Sequence, residues 1–201
     1  LMSKATGKPI MSNGEKVTAT KKFTPTEKDG SVELIFSFDG TELRGETVVA
    51  FEECKTTNIP IAVHADINDK EQSVNIPKIE TEANLSKSDK VVEDLVTYEN
   101  LKPGKYIMRG YLVDKKSEKT LKESQGETEF EILEGDETSG EVTVTLPVKE
   151  IKKLGGYELV AFEELYYECT DENGNVTEEL VCDHMDIEDE SQTVEIPGGT
   201  P

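Results

Sequence analysis

The chain has 201 residues, of which only 6% are aromatic and none is tryptophan, and it carries a net charge of −21. This length allows two ordinary domains, and the charge argues against nucleic acid or an anionic membrane surface as partners, because both require clusters of Lys and Arg. No apolar run reaches transmembrane length, and the first residues, LMSKATGKPI, lack the pattern of a signal peptide, so we expect an internal piece of a longer protein.

Short segments that alternate apolar with polar residues fill the second part of the chain, which is typical of strands. Turn signals separate them at Lys102-Pro103-Gly104, Gly135-Asp136, Gly155-Gly156 and Asn173-Gly174. The pattern predicts an all-β fold, an immunoglobulin-like antiparallel β-sandwich. In chain order the predicted strands are LVTYENL, YIMRGYLV, TEFEIL, EVTVTLPV, YELVAFEEL, EELVCDH and QTVEIP.

An internal repeat divides the chain into two copies. TVVAFEE from Thr47 matches ELVAFEE from Glu158, GSVELIF from Gly30 matches GEVTVTL from Gly140, and LMSKATGKPI at the start matches LVDKKSEKTL from Leu112. The second copy extends backward through residues 78–111, for which the first copy has no counterpart. We therefore predict tandem sandwiches: residues 1–77 are a truncated repeat without its two N-terminal strands, and residues 78–201 are a complete repeat.

The two histidines of the chain occupy the same place in the two copies. His64 and His184 each precede a Gln by eight residues, in HADINDKEQSVNIP and HMDIEDESQTVEIP. Eight extended residues are too long for His and Gln to act together on one straight strand, so we expect a turn that brings them close. The alternative is an ordinary polar loop. The recurrence of both the His and the Gln in the two copies favours a shared site.

A glutamate follows the same apolar run in each copy, Glu52 in the first and Glu163 in the second. Strand alternation places Glu163 on the same face as Ala161 and Leu159, so we expect it to point inward with a raised pKa. The alternative is a carboxylate that reaches solvent at the end of its strand.

Other kinds of site are poorly supported by the sequence. Cys169 and Cys182 flank a predicted hairpin, so a cross-hairpin disulfide remains open. Asp171 and its neighbours in DENGN suggest calcium, but the run has no Gly at the sixth loop position and Cys182 where a bidentate Glu is needed. No serine has the glycine pattern of a nucleophile elbow. We expect neither a cofactor nor a metal.

Together the motifs VAFE, the His eight residues before a Gln, the closing QTVEIP, and the opening IETEA with EDLVTYENLKPGKY resemble the VaFE-repeat family. This resemblance covers nearly the whole chain. It implies immunoglobulin-like domains of Gram-positive surface adhesins that form an internal Thr–Gln ester bond.

Carried over residue by residue, the resemblance makes Thr81 the nucleophile and Gln192 the carboxamide that it attacks with loss of ammonia. It makes His184 the proton carrier, and Asp94 and Glu163 a carboxyl pair that shares one proton. Thr97 is the alternative hydroxyl. Here IETEA has Glu80-Thr81-Glu82 where the family often has Gly-Thr-Thr.

The first copy keeps Glu52, His64 and Gln72 but has no counterpart of Thr81 or Asp94, so we expect Gln72 to stay unreacted unless another chain supplies the missing strands. The resemblance implies a stalk module of a cell-wall-anchored adhesin, with neighbouring repeats as partners and no catalytic turnover. The alternative function is a ligand-binding module on the same sandwich, without cross-link chemistry.

Overall fold

The computed structural model describes residues 1–86, 90–149 and 153–198. It divides into two compact units, Leu1–Ile76 and Pro77–Pro201. Both units consist of antiparallel strands, and the described residues form no α-helix; a short 3-10 helix covers Thr41–Leu43. None of the residues described in the structure lies in a helix with the length and apolar character needed to span a membrane.

The first unit contains small sheets joined by long irregular segments. Strand β4 lies between β1 and β7, β2 pairs with β3, and β5 pairs with β6. Its buried apolar residues are few: Ile10, Val17 and Val48 form the core, with partly buried neighbours around them. The strands are β1 (Met2–Ser3), β2 (Met11–Ser12), β3 (Glu15–Lys16), β4 (Thr47–Val49), β5 (Glu52–Thr56), β6 (Ile59–His64) and β7 (Ser73–Asn75).

The second unit is an immunoglobulin-like sandwich of two sheets. One sheet has the order β13-β9-β8, and the other has the order β11-β10-β14-β15, with β12 also paired to β10 and β16 to β14. The strands are β8 (Lys78–Leu85), β9 (Val91–Glu99), β10 (Gly104–Asp114), β11 (Lys119–Thr120), β12 (Gly126–Ile132), β13 (Gly140–Pro147), β14 (Glu158–Thr170), β15 (Val176–His184) and β16 (Thr193–Glu195). Each of the seven predicted strand segments overlaps one of these strands, and several extend one to three residues beyond its ends.

Alternation of buried and exposed residues builds the core between the two sheets. On β8, Ile79 and Ala83 are buried while Glu80 and Glu82 face solvent. This two-residue period is the one expected for strands that are covered on one face only. The largest fully buried apolar side chains of this unit are Leu101, Met108, Leu112, Leu146, Leu159, Leu165 and Ile196.

The repeat found in the sequence extends to the register of the strands. Met2 pairs with Val49 in the first unit, as Val113 pairs with Val160 in the second. The β5–β6 pair is irregular between Cys54 and Lys55, and the β14–β15 pair is irregular at the matching position, between Leu165 and Tyr166. The two copies therefore share a local backbone irregularity as well as a sequence pattern.

The part of the second copy without a counterpart in the first is larger than the two strands inferred from the sequence. Residues 78–111 contain β8, β9 and most of β10. In the second unit β9 pairs with β13 and β10 pairs with β12. In the first unit residues 17–40, which include the segment that matches β13 and the later part of the segment that matches β12, form no strand. Their strand pattern is present but their hydrogen-bonding partners are not.

The cysteines do not form the cross-hairpin disulfide that the sequence left open. Cys54, Cys169 and Cys182 are reduced thiols, and none of them is joined in a disulfide. Cys182 lies opposite Leu165, whereas Cys169 lies opposite Thr177, so the two hairpin cysteines do not face each other.

Candidate functional site

Four polar side chains are buried together in the second unit. Asp94, Glu163 and Gln192 are completely buried and Thr81 is 6% exposed. Burying polar groups is unfavourable unless they bond to one another. All four were predicted as site residues, and they come from different elements: β8, β9, β14 and the turn before β16.

Thr81 and Asp94 lie on adjacent strands and bond directly. The Thr81 hydroxyl lies 2.8 Å from Asp94 Oδ1 and 3.0 Å from Oδ2, and it donates to this carboxylate. Both residues sit at inward positions of their strands, in line with buried neighbours. Thr97, the alternative hydroxyl, is three residues from Asp94 and therefore lies on the other face of β9. The structure places Thr81, and not Thr97, beside the carboxyl groups.

Glu163 is the central residue of the cluster. Burial is the largest effect on this carboxyl, and the adjacent Asp94 carboxyl adds to it, so the pKa of Glu163 is raised well above its usual value. Hydrogen bonds with Gln192 and Thr81 oppose the shift only in part. Glu163 contacts each of the other three residues, and its raised pKa favours the protonated form of its carboxyl.

The Gln192 carboxamide is held through its nitrogen. Nε2 donates to Glu163 Oε2 at 3.0 Å and to the backbone oxygen of His184 at 3.2 Å, while Oε1 is buried with no hydrogen-bond partner. The bond to His184 shows that the segment between these residues turns, as predicted. Asp186 and Asp189 accept backbone bonds within this turn. A buried carbonyl oxygen without a donor is unfavourable at rest, and it is where negative charge would develop during attack on the amide.

Ser191, which the sequence did not single out, connects the turn to β8. Its hydroxyl donates to the backbone oxygen of Thr81 at 3.0 Å, and its own backbone oxygen accepts from Ala83 at 2.9 Å. On the other side, Ala161 donates its backbone N–H to Gln192 at 2.9 Å. Gln192 is thereby fixed between β8, which carries Thr81, and β14, which carries Glu163.

His184 lies at the edge of the cluster, directly opposite Glu163 in the β14–β15 register. Its Nε2 is 3.1 Å from Asp189 Oδ2, and its Nδ1 is buried without a hydrogen-bond partner. Partial burial opposes ionisation of Asp189, but hydrogen bonds from Ser191 and the nearby His184 outweigh it, and the pKa of Asp189 is lowered. The Thr81 hydroxyl bonds to Asp94 and not to the imidazole.

The partner of the histidine is a residue that sequence reasoning missed, although a signal was available. In the first unit His64 Nε2 lies 2.9 Å from Asp69 Oδ2, in the same arrangement as His184 with Asp189. Each aspartate follows its histidine by five residues. The recurrence of this spacing in both copies could have identified the pair.

Gly110 on β10 leaves room for the Glu163 side chain. It pairs with Glu163 in the strand register, and a Cβ atom added there would lie 3.1 Å from Glu163 Oε1 and 3.1 Å from a methyl carbon of Leu146. A glycine within a strand often marks such a close approach.

The first unit holds only part of this arrangement. Gln72 Nε2 donates to Glu52 Oε2 at 3.2 Å, and Gln72 Oε1 is buried without a hydrogen-bond partner. The side chain of His64 is 56% exposed, whereas that of His184 is 20% exposed. The three residues predicted for an incomplete site therefore lie together, but Glu52 and His64 are exposed.

The calcium alternative finds no geometric support at the tip of the β14–β15 hairpin. The Asp171 carboxylate accepts from the backbone of Asn173 and from both the backbone and the side chain of Asn175. These bonds lower its pKa and close the turn on itself. Within the described residues, His, Cys, Asp and Glu form no group that could hold a metal ion.

Comparison with known proteins gives one family. The model of a T-Q ester bond containing domain matches residues 1–76 and again residues 78–196. Two solved structures of a bacterial adhesin from Mobiluncus mulieris, which contains intramolecular disulfide, isopeptide and ester bond cross-links, are each 19% identical to the chain. Their TM-scores are 0.46 and 0.43, with 62% and 61% of this chain covered, and the matched part spans 58% of each adhesin chain. No curated protein matches.

Proposed function

We propose, since the chain belongs to the family of T-Q ester bond containing domains, that residues 78–201 form a complete repeat that joins Thr81 to Gln192 by an ester bond. The observation that carries this proposal is the continuous series of contacts from the Thr81 hydroxyl through Asp94 and Glu163 to the Gln192 nitrogen. This series connects the atom that must lose a proton to the atom that must gain one.

The reaction needs no other component. Thr81 Oγ1 attacks the carboxamide carbon of Gln192 while Asp94 accepts the hydroxyl proton. The proton that Glu163 shares with Asp94 allows a transfer across the pair, and Glu163 Oε2 delivers a proton to Nε2. The C–N bond breaks, ammonia leaves, and the ester remains. The C–O and N–H bonds form while the O–H and C–N bonds break, so atoms and charge balance.

His184 has a supporting role in this scheme. Its backbone oxygen holds the leaving nitrogen, and its buried Nδ1 lies on the side of the ring opposite the bond to Asp189. As an alternative proton carrier, the imidazole can take the hydroxyl proton during attack and return it to the departing nitrogen.

The product is a cross-link and not a catalytic centre, because the reaction consumes both Thr81 and Gln192. Each domain acts once. The family description likewise names a bond within the domain and no turnover reaction. We expect no activity toward added substrates.

The position of the bond supports a role in resistance to mechanical force and to proteolysis. Thr81 lies on β8 at the start of the second unit, and Gln192 precedes β16 near its end. A tensile force on a chain of such repeats would enter at these strands and pass through the ester. We propose that the chain is part of the stalk of a bacterial surface adhesin that is anchored to the cell wall, with neighbouring repeats as its partners.

The test is the intact mass of the full chain, compared with Thr81→Ala. The wild-type chain is expected to be lighter than its sequence by one ammonia, and Thr81→Ala is expected to have the full mass expected from its sequence. Thr97→Ala is the matched control and should still lose ammonia. A wild-type mass equal to the plain sequence would overturn the proposal, and loss of ammonia in Thr81→Ala would show that another hydroxyl reacts.

A further inference from the structure

Ser191 links the two chain segments that the proposed reaction must bring together. The Thr81 hydroxyl and the Gln192 amide are bonded to different carboxyl groups, so neither of these bonds joins the two residues directly. Ser191 joins their backbones. Its hydroxyl donates to the backbone oxygen of Thr81 at 3.0 Å, and its backbone oxygen accepts from the N–H of Ala83 at 2.9 Å. The residue that precedes the electrophile is therefore bonded to the strand that carries the nucleophile.

The Ser191 hydroxyl supplies a donor to Thr81 where two nearby backbone donors are already used. The N–H of Ser191 donates to Asp189 Oδ1 at 2.8 Å, and the N–H of Thr193 donates to the backbone oxygen of Glu190 at 3.2 Å. Both groups are thus bonded inside the turn. The side chain of Ser191 therefore makes the link from the turn to the backbone of the nucleophile.

The same hydroxyl has a second acceptor. Asp189 Oδ1 lies 2.6 Å from Ser191 Oγ, but a hydroxyl has a single proton and donates to one acceptor at a time. Asp189 keeps the backbone N–H of Ser191 as a donor in either case. Removal of the hydroxyl is therefore expected to loosen Thr81 more than Asp189.

The matching turn of the first unit shows which of these contacts form without a serine. Glu71 stands where the second unit has Ser191, and its N–H donates to Asp69 Oδ1 at 2.8 Å, as the N–H of Ser191 donates to Asp189. In each unit the histidine also contacts this aspartate. The turn and the contact between histidine and aspartate therefore do not require the hydroxyl. What the hydroxyl adds in the second unit is the bond to β8.

From these contacts we propose that Ser191 is a positioning residue for ester formation. Its hydroxyl fixes the backbone at Thr81, so that Thr81 Oγ1 is held at the distance and angle needed to attack the carboxamide carbon of Gln192. Ser191 acts through Thr81 and exchanges no proton with the reacting groups. Misplacement of a reacting atom by about 1 Å can slow a reaction by about 100-fold, so a single bond at this point has a large effect on the rate. This inference rests on the proposed ester chemistry of the second unit.

The experiment follows cross-linking in the full chain from the time of its synthesis. Wild-type and variant chains are made by cell-free translation, and intact masses taken at intervals give the rate at which one ammonia is lost. Ser191→Ala should slow this loss by about 10-fold or more. Ser191→Thr keeps the hydroxyl and adds a methyl group at an exposed residue, so it should react at close to the wild-type rate. A Ser191→Thr chain as slow as Ser191→Ala would contradict a role of the hydroxyl.

The matched control is a serine substitution elsewhere in the second unit. Ser139 is exposed in the turn before β13, so Ser139→Ala should lose ammonia like the wild type. A Ser139→Ala chain as slow as Ser191→Ala would show that the slowing is not specific to the bond with Thr81 and would overturn the proposal.

A double-variant cycle tests whether the serine acts through Thr81 or through Asp189. Asp189→Asn changes the residue that contacts His184 but leaves the bond between Ser191 and Thr81 in place. If the serine acts through Thr81, Ser191→Ala should slow the Asp189→Asn chain by the same factor as it slows the wild type. If Ser191→Ala has no further effect in the Asp189→Asn chain, the serine acts through the aspartate and the proposal is overturned.

Two further results separate positioning from folding and from the ester chemistry itself. In the Thr81→Val chain, which cannot form the ester, addition of Ser191→Ala should preserve a cooperative urea transition of the second unit. Loss of that transition would show that the serine is needed for the fold and would overturn the proposal. A wild-type chain that loses no ammonia would overturn the proposed function, whereas equal rates in the wild type and Ser191→Ala would overturn this inference alone.

Discussion

Gln192 donates its amide nitrogen to Glu163 at 3.0 Å while its carbonyl oxygen has no hydrogen-bond partner. The leaving group is thus the part of the amide that contacts the carboxyl with the raised pKa. Nε2 is the donor in this contact, so Glu163 can pass a proton to it once attack on the carbon has made the nitrogen basic. This single contact explains why the cluster should favour loss of ammonia.

Replacing Glu163 tests the proton transfer. Glu163→Gln keeps the shape of the side chain but cannot carry a proton between Asp94 and Gln192, so cross-linking should slow by about 100-fold or more. The purified variant should retain its ammonia, and its mass should fall only slowly with time. Glu164→Gln is the matched control, since the next residue along β14 faces the other side of the sheet. Complete cross-linking in Glu163→Gln would contradict the relay.

The pairing of His184 with Asp189 gives a second prediction. Because Asp189 holds Nε2 and thereby orients the ring, Asp189→Asn should slow cross-linking and alter its pH profile, but by less than His184→Gln. Loss of the imidazole itself should slow cross-linking by about 10²- to 10⁴-fold if the imidazole carries a proton. The rates follow from mass spectra taken over time. Glu190→Gln, on the exposed side of the same turn, should react like the wild type. Equal rates in all of these variants would mean that the carboxyl pair alone moves the proton.

The ester should stabilise the second unit against unfolding. Positions 81 and 192 enclose a loop of about 110 residues, and closing such a loop contributes about 4 to 5 kcal/mol if a disulfide is an adequate analogue. Thr81→Val should lose this amount and, in addition, about 1 kcal/mol from the bond to Asp94. Urea denaturation measures the difference, and Thr97→Val should stay within about 1 kcal/mol of the wild type. A Thr81→Val chain as stable as Thr97→Val would show that the bond has no role in stability.

The raised pKa of Glu163 predicts a specific dependence of stability on pH in a chain without the ester. In Thr81→Val the folded state holds the Glu163 proton more tightly than the unfolded state, in which the carboxyl titrates near 4.5. The stability linked to this proton is fully present below that value and is lost as the pH rises toward the folded pKa. The slope for one proton is at most about 1.4 kcal/mol per pH unit.

The control for the pH dependence is the double variant Thr81→Val, Glu163→Gln. The remaining acidic groups titrate in both chains, so the difference between the two urea titrations isolates Glu163. The difference in unfolding free energy should fall as the pH rises above 4.5. A difference that does not change with pH, or that grows, would mean that Glu163 is ionised in the folded state.

Several features of the fold and the site followed from the sequence because they are local. The two-residue alternation on β14 predicted that Glu163 points inward, whereas Thr81 and Asp94 were named by the family resemblance. The matching stretches from His64 and His184 indicated a turn of the same length in both copies. The bond between Asp189 and His184 did not follow from pattern alone, although its spacing recurs in Asp69 and His64. Ser191 and Gly110 were missed because their contacts lie on strands distant in the sequence.

The sequence by itself determined the strands and the repeat, since these depend on periodicity along the chain, while the candidate site residues followed from the resemblance to a known family. Only the tertiary structure brought Asp94 beside Glu163, because β9 and β14 lie in different sheets that pack against each other. In the first unit, too, the tertiary structure decided which segments became strands. Residues 30–36 have the pattern of a strand, yet they form none, because a strand needs a hydrogen-bonding partner that residues 1–76 do not contain.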